Sequence, residues 1–151
     1  MESIIAWTNY TFNPWMGCTR VSEGCRNCYA ELLTKNRMGL SLWGNNAPRQ
    51  KTSHNYWMSP HKWNRDVDKT GKRFVFCASL ADVFEDNPLV SEWRKSLFDL
   101  ILKTPNLIWQ ILTKRPENIN RLMPVDALPK NIWIGTTVEN ADVVHRVDNL
   151  R

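Results

Sequence analysis

Nowhere in this sequence does an apolar run approach the ~18–20 residues of a membrane-spanning helix. The amino terminus lacks the basic stretch of a secretory signal: it opens Met1-Glu2-Ser3, and the apolar run Ile4-Ile5-Ala6-Trp7 ends after four residues. There is no internal repeat of fixed period and no low-complexity tract. These absences argue against a membrane partner, against export and against a solenoid, and leave a soluble cytoplasmic protein as the expectation. Cysteine is scarce as well. Only four are present, yet three fall within eleven residues. In a reducing compartment that crowding points to metal or redox chemistry rather than to a disulfide framework.

What is present fits one domain spanning residues 1–151. With 42% hydrophobic and 23% charged residues the chain can bury a core and is not a disordered tail. Lys and Arg outnumber Asp and Glu by 20 to 15, and the resulting +5 permits a polyanionic partner without requiring one. The eight tryptophans are the unusual feature. Several stand outside any helical or strand pattern, where large rings are costly to leave in water.

Short β-rich runs alternate with helical patterns. Residues 3–7 read as a first strand, and residues 29–37 as a helix that Gly39 ends. Residues 40–58 form an irregular, aromatic stretch long enough to be a functional loop. Ser59-Pro60 starts a short helix through Val67, closed by Lys69-Thr70-Gly71. Residues 73–77, 107–112 and 131–135 read as buried parallel strands. Between them, residues 89–103 place Trp93, Leu97, Leu100 and Ile101 on one helical face, and residues 117–123 form a shorter helix. A last helix starts at Ala141 and runs to Arg151.

This alternation predicts an α/β fold, a partial (β/α) barrel of about four parallel strands with crossover helices. A closed eight-fold barrel takes about 250 residues, so four units supply half such a wall. In either an open sheet or a barrel the working edge is at the carboxyl ends of the strands. Polar residues gather there: Asn9 and Asn13, Ser79 and Asp82, Lys114 and Arg115, and Thr137, Glu139 and Asn140. The open edge of the fourth strand calls for cover by a protein partner, a second copy of the chain, or residues 40–58.

Cys18, Cys25 and Cys28 follow the first strand, with Gly17 and Gly24 each just before a cysteine. Thiolates are the soft ligands that zinc and iron–sulfur clusters take, and three of them leave one coordination position open. A redox switch and three unligated thiols are the other readings of the same spacing.

Trp7-Thr8, Thr11-Phe12-Asn13-Pro14-Trp15-Met16-Gly17-Cys18 and Gly24-Cys25-Arg26-Asn27-Cys28-Tyr29-Ala30-Glu31 resemble an uncharacterised family of phage and prophage proteins. That three-cysteine family is related to radical S-adenosylmethionine enzymes. The likeness continues through Cys77-Ala78-Ser79-Leu80-Ala81-Asp82-Val83-Phe84, Gln110-Ile111-Leu112-Thr113-Lys114-Arg115-Pro116-Glu117 and Trp133-Ile134-Gly135-Thr136-Thr137-Val138-Glu139-Asn140. It implies a 4Fe-4S cluster on Cys18, Cys25 and Cys28, S-adenosylmethionine on the fourth iron, and a 5′-deoxyadenosyl radical as the product of its cleavage. By analogy Ser79 and Asp82 meet the methionine moiety, and Thr137 with Glu139 or Asn140 the ribose. Two departures stand beside the likeness. Six residues separate the first two cysteines where the commonest radical motif has three, and relatives continue beyond a fourth unit, so a shortened copy is expected.

Lys114 and Arg115 suit a phosphate, and they equally suit a solvated turn. Trp43, Tyr56, Trp57 and Trp63, interleaved with Arg49, Lys51, Lys62 and Arg65, suit stacked bases over a cationic track or plain core packing. His54 and His61 are candidate additions to a zinc site, and Cys77 reads as a small buried hydrophobe. Two functions follow. One is a phage-encoded, cytoplasmic iron–sulfur enzyme acting on a nucleic acid or nucleotide in the host cell. The alternative is a zinc-stabilised or metal-free module that binds nucleic acid or a host protein without catalysis.

Overall fold

In the computed structural model, which describes residues 3–151, the chain runs β1 (Tyr10–Thr11), β2 (Trp15–Met16), α1 (Tyr29–Met38), β3 (Gln50–Lys51), α2 (His54–Trp57), α3 (Ser59–Thr70), β4 (Phe74–Cys77), α4 (Ser91–Leu102), β5 (Ile108–Thr113), α5 (Ile119–Leu122), β6 (Ile132–Thr136) and α6 (Arg146–Leu150). Four of the strands form a parallel sheet in the order β1-β4-β5-β6. β2 and β3 pair antiparallel in a separate small ribbon. The α/β reading with a four-stranded parallel sheet therefore holds.

Successive side chains on a strand point to opposite faces. One face of the sheet carries Tyr10, Val75, Cys77, Trp109, Ile111 and Ile132, all buried. It shares one core with Trp63 and Val67 of α3 and Leu97, Phe98, Leu100 and Ile101 of α4. The helical spacing of Leu97, Leu100 and Ile101 explains why α4 forms where the sequence predicts it. Asn87 caps the turn before α4, its Oδ1 accepting from the Leu89 N–H at 2.9 Å. Gly39 and Gly71 end α1 and α3, also as predicted.

The first strand is displaced from its predicted place. Residues 3–7 contain no strand; the Thr8 N–H turns back to the Ile5 carbonyl, and Ile4 is fully exposed. The strand lies at Tyr10–Thr11 because Asn9 fixes the register. Its Oδ1 accepts from the backbone N–H groups of Arg73 and Phe74, and its own N–H donates to the Phe74 carbonyl. Tyr10 then stacks on Trp63 with ring centroids 4.4 Å apart.

Residues 40–58 are also less irregular than expected, since they contain β3 and α2. They lie against the cysteine segment rather than over β6: the Gly44 N–H donates to the Cys18 carbonyl, and β3 pairs with β2. Most of the aromatic run serves the core. Phe12 is fully buried and meets Tyr56, Trp57 and Trp63 at 5.1, 5.5 and 6.5 Å. No helix among the described residues is long and apolar enough to cross a membrane.

Candidate functional site

The segment between β2 and α1 carries the three cysteines to the carboxyl ends of the parallel strands. Gly17 makes the first bend at φ +107°, with its N–H on the Leu80 carbonyl at 3.0 Å. A side chain there would press on the Leu42 carbonyl and on Arg49, so only glycine fits. Cys18 follows at once. Cys25 ends a short 3-10 turn (Glu23–Cys25), and Cys28 caps α1, its carbonyl accepting from the Leu32 N–H.

Two buried ion pairs hold the Cys18 end. Arg115 lies between Asp82, at 2.9 Å, and the Cys18 sulfur, at 3.5 Å, and also donates to the Thr19 carbonyl. Asp82 is fully engaged, accepting in addition from the Thr113 hydroxyl, the Lys114 N–H and the Phe84 N–H. Arg49 meets Glu85 at 2.7 Å, donates to the carbonyls of Leu42, Ala47 and Gly44, and reaches the Thr19 hydroxyl. Burial pushes the Cys18 thiol up to about 11, with Arg115 pulling in the opposite direction. Burial also works against the charge on Arg115, but Asp82 and Cys18 outweigh it and hold its pKa above the ordinary value.

The Cys25 end is fastened by Glu139, which follows β6. Its carboxylate accepts from the Ser22 hydroxyl and pairs with Arg146, and Lys114 stands 3.9 Å away. Burial pushes the Glu139 pKa up, yet Ser22, Lys114 and Arg146 together bring it below the usual carboxylate value. Gly24 lies so close beneath that a Cβ would collide with this carboxylate. Gly24→Ala is therefore expected to cost about 1–3 kcal/mol by forcing Glu139 off Ser22 and Arg146. In a Glu139→Ala background the same change should cost less than about 0.5 kcal/mol, which urea unfolding of the four chains of that cycle measures.

Cys18, Cys25 and Cys28 all line one cavity of about 280 Å³. Tyr29 also lines it, its hydroxyl donating to the Ser79 carbonyl at 2.9 Å, and Ser79 in turn bonds Asn13. Two further lining residues carry unsatisfied groups. Trp43 Nε1 and Thr137 Oγ1 are buried and have no hydrogen-bond partner. Orphaned groups of this kind cost about 1–3 kcal/mol each.

A family of proteins of unknown function, DUF5131, matches residues 2–151. The chain belongs to the DUF5131 family. No curated protein and no solved structure matches it.

In this DUF5131 chain the cavity brings together most of the residues singled out from sequence. Cys18, Cys25, Cys28, Ser79, Asp82, Lys114, Arg115 and Thr137 line it. Glu139 sits where it ties Ser22 to Arg146, and Asn140 lies apart, capping the turn that follows through the Asp142 N–H. Asp82 and Arg115 are buried against each other, so neither presents a free charge to a ligand. His54 and His61 line a different hollow, with Lys51 and Asp99. Cys77 is fully buried in the core, where burial pushes its thiol up, as a strand cysteine should be.

Among the described residues, no three His, Cys, Asp or Glu side chains are gathered as ligands of one metal ion. The three thiols are instead distributed around a shared space. A zinc ion holds each sulfur at ~2.3 Å and needs them drawn to one point. A cubic cluster takes its thiolates on separate irons and so accepts wider spacing. Glu85 is the functional neighbour that sequence reasoning missed, and no local pattern links it to Arg49. Trp43 and Tyr29 were visible as aromatics, but nothing in their spacing places them on the cavity wall.

Proposed function

We propose that this protein is a phage- or prophage-encoded iron–sulfur protein of the radical S-adenosylmethionine type, acting on a nucleic acid or nucleotide. One observation carries the reading: three cysteines from a single loop border one cavity at the carboxyl ends of parallel strands, with no fourth cysteine beside them. Cys18, Cys25 and Cys28 would hold a 4Fe-4S cluster. Bound there, such a group supplies a reducing electron and an open iron position for the amino and carboxylate groups of S-adenosylmethionine.

The chain's own residues have separate tasks around it. Gly17 and Gly24 let the loop close tightly. Arg115 holds a positive charge against Cys18 and favours the thiolate that a metal requires. Lys114, with its ammonium between the cavity and Glu139, offers a point charge to a carboxylate or phosphate. Thr137 and Trp43 help wall the same space. The zinc alternative asks more of the loop, because the three sulfurs would have to draw together.

The test is turnover. After anaerobic reconstitution with iron and sulfide, the reduced protein should convert S-adenosylmethionine to 5′-deoxyadenosine, read by chromatography, and Cys28→Ser should form none. A cluster-loaded wild-type chain that leaves S-adenosylmethionine intact would overturn the radical reading.

A further inference from the structure

The three loop sulfurs do not share the same surroundings. Cys18 Sγ accepts from Arg115 Nη1 at 3.5 Å, and among the described residues the sulfurs of Cys25 and Cys28 accept no hydrogen bond. Arg20 acts on Cys25 and Cys28 through space, but its side chain is 57% exposed and bound to Glu31 at 2.8 Å. Water screens such a charge. The Arg115 side chain is 7% exposed, so its field reaches Cys18 through protein rather than through solvent.

That guanidinium is also held in place. Nη1 serves the Asp82 carboxylate at 2.9 Å as well as the sulfur, Nη2 donates to the Thr19 carbonyl at 2.6 Å, and the Arg115 backbone N–H donates to the Thr113 hydroxyl at 2.9 Å. As a thiol, Cys18 donates to the Thr19 carbonyl at 3.4 Å. When that proton leaves for a metal bond, the guanidinium still holds both the carbonyl and the sulfur. A brace alone would need no charge, because well-packed apolar side chains often replace a buried ion pair without loss of stability. A charge kept beside a ligand sulfur bears on the electrons of what that sulfur holds.

We infer that Arg115 sets the reduction potential of the group held by Cys18, Cys25 and Cys28: its buried guanidinium, through the N–H···S contact to Cys18, raises that group's affinity for an electron, and Asp82 trims the effect. The inference rests on the iron–sulfur reading proposed above. One electron from a low-potential donor such as dithionite takes a 4Fe-4S centre down one oxidation level, with no bond made or broken. The added negative charge spreads onto the sulfurs, where an N–H donor and a fixed positive charge stabilise it. Asp82 works against this, since its negative charge bears on Cys18 in the opposite sense to Arg115, as does that of Glu85. Arg115 acts only through Cys18, as a positioning residue.

The test is an anaerobic redox titration of the reconstituted full chain with dithionite, followed by the paramagnetic resonance signal of the reduced state. At a fixed applied potential, Arg115→Met should cut the ratio of reduced to oxidised centres about tenfold or more, a shift of ~59 mV for one electron. Arg115→Lys keeps the charge but not the planar fork, and should fall between Arg115→Met and wild type. Asp82→Asn should shift the ratio the opposite way, toward the reduced state. Arg20→Met, at a screened surface charge, should change it less than about twofold. Residues that only brace the loop would lower cluster content in both Arg115→Met and Asp82→Asn without shifts of opposite sign. Should Arg115→Met fail to fold, Asp82→Asn and Arg115→Lys carry the same test of sign. Unchanged potentials in these variants, or shifts of one sign, overturn the inference while the cluster stands. A wild-type chain that takes up no iron and sulfide overturns the cysteine reading and the inference with it, so both contents are measured on every preparation.

Discussion

Arg49→Met is expected to destabilise the protein by about 3–5 kcal/mol, the cost of stranding one partner of a buried ion pair. The Arg49 side chain is wholly buried and Glu85 is 4% exposed. The substitution leaves the Glu85 carboxylate in the interior with its charge uncompensated, and it strips a donor from the carbonyls of Leu42, Ala47 and Gly44. A second change, Glu85→Leu, should recover part of the loss by removing the stranded charge. Urea unfolding followed by tryptophan fluorescence measures both. A loss under about 1 kcal/mol for Arg49→Met would mean that the pair does not hold residues 42–49 to the cysteine loop.

Replacing any one of the three loop cysteines should abolish cofactor loading. Cys18→Ser, Cys25→Ser and Cys28→Ser are each expected to retain less than about a tenth of wild-type iron after anaerobic purification, because the cluster has no spare thiolate to recruit nearby. Cys77→Ala is the matched control. That residue is fully buried in β4, on the core side of the sheet, and its loss should cost stability while leaving iron content unchanged. Iron retained by Cys25→Ser or Cys28→Ser, or lost equally in Cys77→Ala, would contradict the assignment of ligands.

The sheet was largely legible in the sequence because its strands are short buried runs between turn residues. Residues 73–77, 107–112 and 131–135 each became a strand within a residue or so of the expected ends. The apolar stripe of α4 was equally plain. The first strand was missed for a definite reason. Ile4, Ile5 and Trp7 have β-forming side chains, yet the register is dictated by Asn9, whose amide oxygen holds two backbone N–H groups some 64 residues away in sequence. Local propensity carries no trace of such a contact.

The site divides along the same line. The spacing of the cysteines and their position after a strand were enough to bring Cys18, Cys25 and Cys28 to a common cavity. Roles that depend on pairing were not readable. Asp82 and Arg115 each looked like ligand-binding groups at a strand end, but the fold turns them on each other to brace Cys18. Glu139 reaches back across the sheet edge to Ser22, and only Gly24 leaves room for it. Gln110 drew notice only within a strand motif, because the burial of its Oε1 without a partner becomes evident only once the neighbouring strands are in place.

The central claim is that the cysteine cavity houses a 4Fe-4S cluster, and the most direct measurement is metal and acid-labile sulfide analysis of the anaerobically purified chain, with its visible and paramagnetic resonance spectra. The account predicts a brown protein with iron and sulfide in equal amounts, close to four of each per chain, and a signal that appears on reduction. A colourless chain with one zinc, or one that takes up neither iron nor sulfide on reconstitution, would contradict it.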